Sequence, residues 1–135
     1  MKPITLTDNE YIVVEYLPDR KCIRHEIRKP IGGQVLRDAL NSGTEALKKY
    51  GACKWISDDR KNGELSAEDR EWGFNDWNRR TIEAGWKYWA LVVPEAIIAA
   101  GSMIPTINML YELGLRVMVF STAEEAFAWL EKMQA

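Results

Sequence analysis

This sequence predicts a single α/β domain: an N-terminal β-hairpin, then alternating helix and strand, with a mostly parallel five-stranded sheet and about four helices. Three observations carry that reading. Hydrophobic periodicity switches repeatedly between two and about 3.6 residues, first in two adjoining period-2 segments and then in strict alternation. The 135 residues are enough for one hydrophobic core and few for two, so residues 1–135 read as one domain. Hydrophobic residues make up 47% and charged residues 28%, the balance expected of a water-soluble fold.

Tyr11-Ile12-Val13-Val14-Glu15-Tyr16-Leu17 is rich in β-formers, and Pro18-Asp19-Arg20-Lys21 is a turn with proline suited to its second position. In residues 22–28, Ile23, His25 and Ile27 face one way and Arg24, Glu26 and Arg28 the other, which closes a hairpin with one solvated face. Residues 30–50 form a helix on which Leu36, Leu40, Gly43, Leu47 and Tyr50 make one apolar stripe. Lys48 and Lys49 suit its last turn and Gly51 stops it. A short strand over 53–57 leads into a polar loop over 58–65. Ser66 is the expected N-cap of a second helix, with Glu68 and Asp69 in its first turn and Gly85 at its end.

Residues 86–93 form a strand whose run Ala90-Leu91-Val92-Val93 suits burial on both faces. Pro94 opens a third helical segment, in which Pro105 predicts a kink or break near Ile104. Residues 115–120 form the fifth strand. Ser121-Thr122-Ala123-Glu124-Glu125 is a capping-box start for a last helix buried through Ala123, Ala126, Phe127, Leu130 and Met133. The order β-β-α-β-α-β-α-β-α calls for right-handed crossovers.

A net charge of -2 offers no electrostatic grip on nucleic acid or anionic lipid. The longest apolar stretch, residues 86–105, is interrupted by Pro94, Glu95 and Gly101, so no membrane span is expected. The first ten residues show neither an apolar run nor a small-residue cleavage site, and a cytoplasmic location is expected. Cys22 and Cys53 fall inside predicted strands and read as buried free thiols. His25, the one histidine, lies on an apolar strand face and reads as a packed, hydrogen-bonded residue. No spacing of His, Cys or Asp suggests a metal site, and no fingerprint suggests a cofactor. Gly32-Gly33 reads as a sheet-to-helix turn, with anion binding at the helix start as the alternative.

The closing segment Leu115-Arg116-Val117-Met118-Val119-Phe120, followed by Ser121-Thr122-Ala123-Glu124-Glu125-Ala126-Phe127-Ala128-Trp129-Leu130, resembles that of the SpoIIAA-like group of STAS domains, a family of small bacterial proteins. The strand and turn through Pro30-Ile31-Gly32-Gly33, the amphipathic helix after it, and the strand at Lys54-Trp55-Ile56 extend the resemblance over roughly residues 11–133. These motifs are structural, so the resemblance implies fold more than activity. Regulatory members of the family imply a phosphoserine switch at the start of the helix after a central strand. By position Ser66 is the first candidate here and Ser57 the second, although the Asp-Ser-Ser-Gly pattern of those members is missing.

Two constellations remain. Asp58 and Asp59 follow a strand at the sheet edge where open α/β folds bind ligands, but neighbours on an extended chain point apart, and pairing with Arg60 or Lys61 is expected. Trp72, Phe74 and Trp77 on the second helix are followed by Trp86, Tyr88 and Trp89. Phe74, Trp77, Thr81 and Ala84 share a stripe, whereas Trp72 falls about 200° off it at 100° per residue, as if exposed or covered by a second surface. The expected function is therefore a non-enzymatic regulatory or protein-interaction domain, a homodimer or another protein's partner, using the aromatic edge of the second helix. The alternative is a carrier or sensor of a small apolar, lipid-like ligand among Trp72, Trp77, Trp86 and Trp89; SpoIIAA-like domains look distantly like CRAL-TRIO lipid-binding folds. An enzyme using Asp58 or Asp59 is a third reading, without a nucleophile–base pair to support it.

Overall fold

The computed structural model describes residues 1–134. Its sheet has six strands in sequence order: β1 (Ile4–Asp8), β2 (Ile12–Leu17), β3 (Cys22–Ile27), β4 (Lys54–Asp58), β5 (Tyr88–Val92) and β6 (Arg116–Phe120). β1, β2 and β3 form an antiparallel meander, and β3 to β6 run parallel. The expected hairpin and alternation are present, but the sheet has six strands and not five. The extra strand, β1, is an edge strand with little burial and a register shift between Thr5 and Thr7. It is held by Leu6 against the core and by Thr7 Oγ1 bonded to Ser42 Oγ at 2.8 Å, contacts that no local pattern encodes.

The helical segments also exceed four. α1 spans Gly33–Tyr50 and ends at Gly51 in the left-handed conformation, φ 64°. The second helix divides into α2 (Ala67–Trp72), a π turn (Gly73–Trp77) and α3 (Asn78–Glu83). The third divides into α4 (Glu95–Ala100) and α5 (Ile104–Glu112). That break is made by Gly101 at φ 67°, while Pro105 sits in the first turn of α5, where its missing N–H has no helical partner to lose. α6 spans Ala123–Lys132. Ser66 and Thr122 cap α2 and α6 as expected, accepting from the N–H groups of Asp69 and Glu125.

One face of the sheet packs Ile12, Ile23, Ile27 and Trp55 against Leu36, Leu40 and Leu47 of α1 and Trp77 of the π turn. The other packs Cys22, Ile56, Ala90 and Val92 against Ala126 and Leu130 of α6. The alternation in β3 thus sends His25 and Cys22 to opposite faces. Both cysteines are buried and free, and burial pushes the Cys22 thiol up to about 12. No helix among the described residues is long and apolar enough to cross a membrane.

Candidate functional site

The face beneath α1 is built around four indoles. Trp55 lies 5.2 Å from Trp77 and 5.6 Å from Trp86, and Trp89 lies 4.8 Å from Trp86 and 5.9 Å from Trp77, centroid to centroid. These are the tilted and edge-on arrangements that ring quadrupoles favour. Each indole N–H has an acceptor: Trp55 donates to His25 Nδ1 (3.0 Å), Trp77 to Thr44 Oγ1 (2.9 Å), Trp86 to the Tyr88 carbonyl (3.1 Å) and Trp89 to Ser57 Oγ (2.8 Å).

The π turn decides where Trp72 goes. On an α-helix, residues five apart sit about 140° from each other around the axis. A π turn closes i→i+5 bonds and brings them toward one side. The Asn78 N–H bonds the Gly73 carbonyl in this way, and Trp72 and Trp77 border the same cleft. Trp72, expected off the stripe and either partly exposed or covered by a second surface, is half-buried, with the Arg37 guanidinium of α1 5.2 Å from its ring centroid. Trp77 is buried and Trp72 half-buried, while the exposed large apolar side chains include Ile97 on α4 and Ile104, Met109 and Tyr111 on α5.

The cleft has a volume of about 410 Å³. It opens at the carboxyl ends of β3, β4 and β5, where open α/β sheets place ligands. Its walls are Leu36 and Leu40 of α1, Trp72, Phe74 and Trp77 of the second helix, Trp89 and Leu91 of β5, and Met103, Thr106 and Met109 at and along α5. Of the tryptophans singled out from sequence, Trp72, Trp77 and Trp89 line it. Trp86 is 1% exposed and lies behind Trp77 and Trp89, so it supports the wall without forming it.

Asp59 supplies the cleft with a carboxylate. Its Oδ1 lies 2.8 Å from Nε2 of His25, a residue only 3% exposed. An indole N–H can only donate, so Trp55 fixes His25 Nδ1 as an acceptor and leaves Nε2–H to donate to Asp59. Ser57, His25 and Asp59 therefore adjoin, but not as a nucleophilic site. Ser57 is fully buried, its Oγ stands 3.5 Å from a Nδ1 lone pair that Trp55 already occupies, and it accepts from Trp89. The same burial keeps Ser57 from the surface a phosphoryl donor would need. Ser66 is exposed, and its hydroxyl is engaged as a cap. His25 and its indole partner are the site residues that sequence reasoning did not assign; the signal was His25 at mid-strand on the face that also carries Trp55 and Trp89.

Asp58 points to the other face, as an extended chain requires. Arg60 bonds it twice, Nε to Oδ1 at 2.9 Å and Nη2 to Oδ2 at 2.7 Å. Burial works to raise the Asp58 carboxyl, but the Arg60 guanidinium and backbone N–H outweigh it and hold it below the ordinary carboxylate value. A carboxyl depressed on folding stabilises the fold above its unfolded pKa and loses that contribution as pH falls through the folded value. Arg60 is half in water, so the pair is worth about 1 kcal/mol. Asp58→Asn should lose that much at pH 7 and show a flatter loss of stability below roughly pH 4 in urea melts. Parallel acid limbs for the two proteins would refute the assignment.

Asp69 answers the Gly32-Gly33 question. Its carboxylate accepts from the Gly33 N–H at 3.1 and 3.3 Å, capping α1 from 36 residues away. A Cβ on Gly32 would stand 2.8 Å from Asp69 Oδ2, so the close approach requires glycine there. The anion at this helix start is the protein's own.

No family model, curated protein or solved structure matches the chain. Among the described residues, no three His, Cys, Asp or Glu side chains come together as a metal site would require.

Proposed function

We propose that this chain is a non-enzymatic, STAS-like domain that binds a small ligand with a planar apolar body, acting as its carrier or sensor. The observation that carries this reading is the cleft of about 410 Å³ walled by Trp72, Phe74, Trp77 and Trp89. A concave, largely apolar site with few polar groups, placed at strand carboxyl ends, is the usual form of a small-molecule site. The non-enzymatic part draws on the wiring of Ser57 and His25, which spends the imidazole lone pair on Trp55. The STAS-like part draws on the hairpin followed by strand–helix alternation and on the capped helix after Phe120.

Intrinsic tryptophan fluorescence tests the reading directly, because three of the wall residues report on it. Titration with non-fluorescent planar aromatics should quench or shift the emission saturably. Trp72→Ala should weaken binding about tenfold, the loss of one favourable ring contact, and leave the melting temperature within a few degrees because Trp72 is only half-buried. Native mass spectrometry of freshly purified protein that shows no bound mass, together with no saturable change at millimolar ligand, would overturn it.

A further inference from the structure

The charged groups on the cleft wall, Asp59, Asp69 and Arg70, differ in what already holds them. Asp69 is occupied by the Gly33 N–H and lies 3.7 Å from Arg37. Arg70 donates to the Leu65 carbonyl at 2.6 Å, faces Glu64 at 3.7 Å and has a side chain 55% exposed, so it belongs to the rim. Asp59 is different. Its side chain is 29% exposed, and its partner is the Nε2–H of an imidazole whose other nitrogen accepts from Trp55. Among the described residues, no arginine or lysine side chain bonds it. An anionic ligand would meet this carboxylate with like charge facing like charge. A ligand that donates to it gains a charge-assisted hydrogen bond, and a cationic one also gains from the π faces of the indoles.

We propose that the ligand is an organic cation: a protonated amine carried on a planar apolar body, with an N–H directed to Asp59 and its ring among Trp72, Trp77 and Trp89. This rests on the small-ligand reading above and deepens it. The two can fail separately.

Isothermal titration calorimetry at pH 7 with three probes of one ring size decides the matter: 2-(1-naphthyl)ethylamine, 2-(1-naphthyl)ethanol and 3-(1-naphthyl)propionate. The amine should bind at least about tenfold tighter than the alcohol, and the carboxylate should bind weakest. Asp59→Asn should bring the amine down to the alcohol's affinity and leave the alcohol within about twofold. If the alcohol or carboxylate binds as tightly as the amine, the cation proposal is overturned and the cleft reading stands. If no probe binds at millimolar concentration, the cleft reading fails and takes this proposal with it. Should Asp59→Asn unfold, the three-probe ranking on the native protein still decides the outcome.

Discussion

Gly43→Ala is expected to destabilise the protein by about 3 kcal/mol, against the usual sign of such a change. In the middle of an exposed helix, replacing glycine by alanine gains about 1 kcal/mol. Gly43 lies mid-way along α1 on its buried face, and a Cβ there would stand 2.4 Å from Cη2 and 2.9 Å from Cζ2 of Trp55. Trp55 is fully buried and cannot swing away, with Trp77 and Trp86 packed on it at 5.2 and 5.6 Å. Either the ring leaves its rotamer or α1 lifts from the sheet, and overpacking of this kind falls at the upper end of the range for close-packed cores. Gly73→Ala is the control. It has right-handed helical backbone and open space where its Cβ would go, and should be neutral or stabilising by up to about 1 kcal/mol. Urea melts of both variants measure the contrast. Adding Trp55→Phe should recover part of the Gly43→Ala loss, because the two residues touch and their effects are not additive. A Gly43→Ala protein as stable as wild type would mean that Trp55 does not pack under α1.

His25→Leu should lose about 3 kcal/mol, a large share of a domain's usual stability. Leucine fills the space but satisfies neither neighbour. The Trp55 Nε1–H would be left buried and unpaired, and Asp59 would lose the N–H at 2.8 Å that orients it. Orphaning a buried donor costs about 1–3 kcal/mol, and a hydrogen bond to a carboxylate is worth about 1.5–3. Water can reach Asp59, which limits the second contribution. Trp55→Phe in the same protein removes the stranded donor, so His25→Leu/Trp55→Phe should cost less than the two single changes added together. Nitrogen NMR of the histidine ring provides an independent check, with the proton expected on Nε2. A proton on Nδ1 would contradict the Trp55 bond and with it the way Asp59 is held toward the cleft.

Both expectations depend on contacts that join distant parts of the chain, and the same holds for the site as a whole. The hairpin alternation, the α1 stripe from Leu36 to Leu47, the caps at Ser66 and Thr122 and the stop at Gly51 are all legible locally. Each rests on side-chain spacing or on one residue's backbone preference. The opposed directions of Asp58 and Asp59 follow in the same way from strand geometry. A wheel at 100° per residue cannot register the π turn that sets Trp72 and Trp77 on one cleft, and β1 was missed because an exposed edge strand carries a weak pattern.

By itself, then, the sequence determined an α/β alternation, the helix ends, and which residues of β3 to β5 face α1, since these depend on neighbours a few positions apart. Only the tertiary structure decided that Asp69 caps α1 across 36 residues, that His25 is clamped between Trp55 and Asp59, and that Trp72, Trp77 and Trp89 wall one cleft. The physical reason is common to all three. A hydrogen bond or ring contact depends on distance in space, and the strand–helix crossovers bring together residues whose separation along the chain gives no sign of it.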